Sequence, residues 1–199
     1  MFPGQTYAPI ASLTTSVPVL ACGGLTKRFL VPGWRLGWIV VYDRGQVREQ
    51  SLSNLVSKVF EQEVRQGLLR MSQRIIGSNT LVQGALPTIL ASTPKSFFDQ
   101  TISVIENNAK LAFRKLRVVP GLTPIMPQGA MYMMVKMDRR MFPRIATDLQ
   151  FVEQLMAEQS VFCLPGRCFN CPDYVRIVLT VPRELLIEAC HRWGLGPRT

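Results

Sequence analysis

Gly23-Gly24-Leu25-Thr26-Lys27-Arg28-Phe29-Leu30-Val31-Pro32-Gly33-Trp34-Arg35-Leu36-Gly37 joins two short apolar runs of the sequence. One lysine follows paired glycines, and an arginine stands eight positions later, beyond a Pro-Gly turn. A lysine becomes a nucleophile toward aldehydes where its surroundings favour the neutral amine. An arginine sets two parallel donors on a phosphate, which a flexible lysine does far less rigidly. A ligand carrying both an aldehyde and a phosphate therefore suits the pair. Spacing alone leaves a second reading open, a solvated Lys-Arg pair followed by an ordinary turn.

On either side of this stretch lie short apolar runs, Val17–Cys22 and Leu36–Tyr42, the second stopped by Asp43-Arg44-Gly45. They read as two buried strands of a parallel sheet, with Lys27 at a strand end, where open α/β sheets bind ligands. Before them, residues 1–16 read as an irregular connection rich in Pro, Gly, Ser and Thr. From Arg48 to about Ser72 the apolar positions Leu52, Leu55, Val56, Val59, Phe60, Val64 and Leu68 recur at helical steps. Gly77-Ser78-Asn79-Thr80 breaks that pattern before a second helix over Leu81–Ala91. Thr93-Pro94-Lys95-Ser96 reads as a helix start, with Thr93 as N-cap and Pro94 at the first helical position. The long helix that follows, Phe97 to Leu116, ends at Pro120-Gly121. The remainder reads as an α+β unit, with strands at Met131–Val135, Val161–Leu164 and Val175–Leu179 and helices at Asp148–Glu158 and Arg183–Trp193.

A chain of 199 residues, 47% hydrophobic and 18% charged, is long enough to bury a core in one or two domains. Its net charge of +10 comes from 23 basic residues scattered without a run or an aromatic-interleaved stripe, which argues for a solvated surface rather than nucleic acid. Cys22, Cys163, Cys168, Cys171 and Cys190 form an odd, unevenly spaced set, so a disulfide framework is not expected. Cys168 and Cys171 have zinc-knuckle spacing, but no second pair follows and His191 is the sole histidine, so no metal site is expected. Free thiols suit a reducing cytoplasm. No apolar run reaches the roughly 18 residues that cross a membrane, and no basic-then-apolar leader pattern is visible.

Gly24-Leu25-Thr26-Lys27 and Gly33-Trp34-Arg35-Leu36-Gly37 together resemble the lysine signature of the class I aminotransferases, which use pyridoxal 5′-phosphate: small, apolar, small, Lys, then Gly-x-Arg-apolar-Gly at a set distance. The longer string from Cys22 to Ile39 is most similar to family members that act on tyrosine. The resemblance implies a fold-type-I α/β transferase, with 1–92 as the remainder of a cofactor-binding large domain and 93–199 as a long connecting helix and an α+β small domain. It implies Lys27 as the Schiff-base lysine that also moves the substrate's α-proton, and Arg35 as the phosphate ligand. Gly24 stands where many relatives carry a phosphate-binding serine, and Thr26 is a candidate to supply a hydroxyl instead. The implied reaction is amino transfer from an aromatic amino acid, L-tyrosine, to the 2-oxo acid 2-oxoglutarate, in a homodimer with no membrane or nucleic-acid partner. Ser78-Asn79-Thr80 is a candidate to face the second subunit.

Arg176 sits inside the apolar run Tyr174–Thr180, where an unpaired charge is costly. It either reaches a solvated strand face or meets an anion. Leu164-Pro165-Gly166-Arg167-Cys168-Phe169 followed by Tyr174-Val175-Arg176-Ile177 resembles the family's C-terminal segment, whose arginine clamps the substrate α-carboxylate. About a dozen residues around Ser51–Gln62 look inserted relative to that family. The family's aspartate for the pyridine nitrogen and tyrosine for the ring hydroxyl have no counterpart before Lys27. The chain is therefore expected to be an incomplete form corresponding to the C-terminal half or so, and not to transaminate by itself. The alternative is a catalytically inactive cofactor-binding or interaction module.

Overall fold

The structure, a computed structural model, describes residues 1–14, 17–42 and 52–195, the side chains of 52–61 and Leu195 excepted. The Asp43-Arg44-Gly45 stop, the helix start at Arg48 and most side chains of the apparent insertion at 51–62 lie outside the described residues. The chain divides into two compact units, Tyr7–Lys95 and Met1–Thr6 with Ser96–Thr199.

The first unit runs α1 (Ile10–Leu13), β1 (Val19–Gly24), α2 (Leu25–Arg28), a 3₁₀ turn at Pro32–Trp34, β2 (Gly37–Tyr42), α3 (Leu52–Gln73) and α4 (Thr80–Ser92). β1 and β2 pair antiparallel, from Val19 opposite Tyr42 to Gly24 opposite Gly37. The expectation of two strands of a parallel sheet is thus corrected: these two form an antiparallel pair. Apolar content reports burial potential and carries no information on direction; direction is set by the connection. Residues 25–36 fold back on themselves, with the Leu25 N–H donating to Leu36 O at 3.1 Å, and make no crossover of the kind a parallel pair needs. Nor are these strands buried within the chain, since Leu20, Ile39 and Val40 remain 42–46% exposed.

Asn79 caps α4 by accepting from the Leu81 N–H at 2.9 Å, as its side-chain type favours. Thr93 does not cap the next helix. Its Oγ1 donates to Ile89 O at 2.7 Å and closes α4, so α5 begins at Lys95 and runs to Leu116. A threonine hydroxyl can reach back one turn as readily as forward, and here the preceding helix takes it.

The second unit holds α5 beyond its first residue, β3 (Leu122–Pro124), β4 (Tyr132–Met137), α6 (Asp148–Gln159), β5 (Leu164–Pro165), β6 (Tyr174–Val178) and α7 (Arg183–Leu195). Its sheet is antiparallel in the order β3-β4-β6-β5. Side chains alternate between faces with the two-residue period of a strand. Met133, Val135, Met137, Val175 and Ile177 turn to a core shared with Ala109, Ala112 and Leu116 of α5, Phe151 and Leu155 of α6, and Leu186 and Trp193 of α7. Buried Asn108 ties α5 to the chain leaving β6, its amide donating to Leu179 O at 2.8 Å and Val181 O at 3.0 Å.

Three features of this unit depart from expectation. The strand expected at Val161–Leu164 is reduced to Leu164–Pro165, because the chain leaves α6 through a left-handed Ser160 and meets β6 only at its last positions. β3 adds a strand to those expected, and its Pro124 is tolerated at a sheet edge, where a missing N–H costs no ladder bond. Phe2 is core, not connection: it is buried, and its N–H donates to Gln128 O at 3.0 Å.

Candidate functional site

Two buried leucines anchor the β1–β2 connection. Leu25 is 0% exposed and Leu36 is 5% exposed, and their backbone bond pins the two ends together. The polar residues between them face out. Lys27 on α2 is exposed, and its amine makes no hydrogen bond or ion pair with a described residue. Arg35 follows the 3₁₀ turn in a left-handed conformation, φ 51° and ψ 34°, which costs a non-glycine residue about 1 kcal/mol or more. Ser78 holds it there, its hydroxyl donating to Arg35 O at 3.0 Å, while Gln83 Nε2 donates to Ser78 O at 2.6 Å. One guanidinium nitrogen, Nη1, donates to Pro32 O at 3.1 Å, which orients the fork and leaves its other donors for a ligand.

Gly24 is extended, and a Cβ there would sit 3.1 Å from Leu36 O and 3.3 Å from the Gly37 Cα. At neighbouring Gly23 a Cβ would lie 2.5 Å from the Trp38 indole. Position 24 therefore offers backbone only, and the hydroxyl nearest Lys27 in the chain is that of half-buried Thr26. An uncommitted amine, an oriented guanidinium and a hydroxyl thus share one short connection. That donor set fits the aldehyde and phosphate of pyridoxal 5′-phosphate.

Arg176 belongs to the other unit. It lies on β6 opposite Met134 of β4 and Leu164 of β5, on the sheet face away from the core. That face does not leave it in open water. Its guanidinium carbon lies 4.1 Å from the ring centroid of Tyr132 and 4.0 Å from that of Phe169, and its Nε is buried without a hydrogen-bond partner. Two rings stabilise a cation by roughly 0.5–2 kcal/mol each, yet they satisfy no N–H. A buried unsatisfied donor costs about 1–3 kcal/mol, and an anion is what relieves it best.

Neither ring was singled out from the sequence. Tyr132 reaches Arg176 as a diagonal cross-strand neighbour, since it faces Val178 while Met134 faces Arg176. Phe169 arrives on the 3₁₀ turn Gly166–Phe169, which is fastened to α6 by Asp148. The one available signal was Phe169's place in the family-like string.

Two of the cysteines are core residues rather than nucleophiles. Burial pushes the Cys163 thiol up to about 12 and that of Cys190 up to about 11, the latter against the charge of Lys115. Among the described residues no group of three or more His, Cys, Asp or Glu could hold a metal ion, and no helix is long and apolar enough to cross a membrane. A cavity of about 330 Å³ beside α7 and an open cleft of about 740 Å³ beside Lys136 and Arg139 include none of Lys27, Arg35 and Arg176 in their walls. In the cleft, the basic side chains Arg139 and Arg140 are already paired with Asp173 and Asp138.

A sequence model of the family "Aminotransferase class I and II" matches residues 1–192. The tyrosine aminotransferase of Homo sapiens is 47% identical over 192 residues, and that of Caenorhabditis elegans is 42% identical over 192. Those matches take in 96% of this chain but 40% and 38% of the relatives, so the chain spans about two fifths of their length. Among solved structures, a tyrosine aminotransferase from Leishmania infantum superposes with a TM-score of 0.83 at 29% identity, over 96% of this chain and 44% of its own.

Proposed function

This chain belongs to the class I and II aminotransferases, and from that premise we propose that it carries three binding residues of a tyrosine transaminase: the cofactor lysine, the phosphate arginine and the carboxylate arginine. The enzyme so read moves the amino group of L-tyrosine to 2-oxoglutarate, giving 4-hydroxyphenylpyruvate and glutamate. The observation that carries this reading is the pinned connection that presents Lys27, without a partner among the described residues, together with an oriented Arg35. The choice of tyrosine is supported by the 47% identity with the human relative.

In this reading the Lys27 amine would hold the aldehyde end of the cofactor and, once freed by the substrate amine, would carry the proton of the substrate α-carbon. Holding donor and acceptor in one site makes that transfer effectively intramolecular. Arg35 and Thr26 hold the phosphate, with the Gly24 backbone leaving room. Arg176 would fork onto the α-carboxylate of the substrate. Bound pyridoxal 5′-phosphate supplies the electron sink that accepts the pair left as the α-proton departs. Residues 1–92 then form part of the cofactor-binding domain and 93–199 the long helix and small domain. The setting is a cytoplasmic homodimer.

A chimera tests this reading. Residues 1–192 replace the matched segment of the human relative, and tyrosine-dependent formation of 4-hydroxyphenylpyruvate is assayed. Turnover is expected, and Lys27→Ala in the chimera should lower it by roughly 10²- to 10⁴-fold, the usual weight of a positioned proton-transfer group. Equal turnover with and without Lys27 would remove the lysine from the chemistry.

A further inference from the structure

Resting on the reading of Arg176 as the carboxylate ligand, we propose that Asp148 is a positioning residue for that site. It clamps the Gly166–Phe169 turn so that Phe169 holds the Arg176 guanidinium flat against Tyr132, leaving its edge for a carboxylate.

Asp148 is 1% exposed and opens α6. Its carboxylate accepts from the Arg167 backbone N–H at 2.7 Å and from Arg167 Nε at 3.0 Å. Burial alone would raise its pKa, but the two Arg167 donors outweigh burial and hold it below its ordinary 3.8, so it is charged at neutral pH. Capping α6 does not require it, because Thr147 already accepts from the Gln150 N–H at 3.1 Å. What the buried charge does fasten is the turn.

That turn is tied together internally. The Cys171 N–H donates to Gly166 O at 3.0 Å, and the Asn170 N–H donates to Arg167 O at 3.1 Å, with Asn170 left-handed at φ 53°. Gly166 is packed so closely that a Cβ would strike Cys171 O and Tyr174 O. Phe169 sits two residues beyond the clamp point and is carried with it onto the guanidinium. With the Tyr132 and Phe169 ring centroids 4.1 Å and 4.0 Å from its central carbon, the guanidinium is confined, and less ordering remains to be done when a carboxylate arrives.

The test uses the 199-residue chain and the NMR signal of the Arg176 Nε–H, identified by its loss in Arg176→Lys. Ring currents from Phe169 and Tyr132 should displace that signal from those of exposed arginines. In Asp148→Asn it is expected to move back toward them, while Thr147→Ala, which removes the α6 cap and leaves the clamp, should leave it in place. The probe 3-(4-hydroxyphenyl)propionate is expected to bind Asp148→Asn about 3- to 10-fold more weakly than the parent. The neutral probe 4-ethylphenol should bind both alike.

An unmoved Arg176 signal with unchanged carboxylate affinity in Asp148→Asn would overturn the proposal, as would an equal displacement in Thr147→Ala. A parent chain whose Arg176 signal ignores the carboxylate would instead refute the carboxylate reading, and the signal in Asp148→Asn would still decide the clamp. If Asp148→Asn does not fold, Arg167→Ala removes the Nε contact and keeps the backbone one. A partial displacement there supports the clamp, and none rejects it.

Discussion

The parent chain is expected to retain pyridoxal 5′-phosphate through desalting, and Lys27→Ala to lose it, down to the background of a chain never exposed to it. The size of the effect follows from what remains. Without the covalent link the cofactor is held chiefly by Arg35, at about 1.5–3 kcal/mol per charge-assisted hydrogen bond. Even millimolar retention needs about 4 kcal/mol after ordering costs. One oriented fork on an exposed connection falls short of that. Lys110→Ala is the control, since that amine is already paired with Glu106 at 2.7 Å on the surface of α5. Visible absorbance retained by Lys27→Ala at the parent's level would remove Lys27 from the cofactor site.

The second large effect is expected at Arg176. Arg176→Lys keeps the charge but loses both the fork and the guanidinium's contacts with the Tyr132 and Phe169 rings. Binding of 3-(4-hydroxyphenyl)propionate should weaken by about 2–3 kcal/mol, the weight of a charged hydrogen-bonded pair. That is roughly 30- to 150-fold in Kd. Binding of 4-ethylphenol should not change. Parallel losses for both probes would mean that Arg176 supports the sheet rather than a carboxylate, as a guanidinium packed on two rings is able to do.

How much of this was legible beforehand depends on how far apart in the chain the cooperating residues stand. The β1–β2 connection was legible because everything that makes it work is local: glycines for close approach, two apolar anchors, and a lysine and an arginine inside a single turn. The longer helices are legible from their apolar period, down to α6 and α7 within a residue or two at their described ends, whereas the four-residue α1 and α2 are too short to show one. Strand direction was not, because Val19–Gly24 and Gly37–Tyr42 carry no sign of which way the chain returns between them. Arg176 stood out as a charge in an apolar strand. Its partners did not, because only the sheet register brings Tyr132 beside it, and only the Asp148 clamp brings Phe169. Asp148 itself reads as an ordinary acidic residue in a first helical turn.

In the proposed function one lysine of this chain, Lys27, receives the cofactor. The most direct measurement incubates the parent chain with pyridoxal 5′-phosphate, reduces it with borohydride, and maps the stable label by peptide mass spectrometry. Six lysines compete: Lys27, Lys58, Lys95, Lys110, Lys115 and Lys136. At low, near-stoichiometric cofactor the label should fall on Lys27, and Arg35→Ala should reduce it there by weakening the hold on the phosphate. A label spread over the exposed lysines in proportion to their access, and indifferent to Arg35, would contradict the claim.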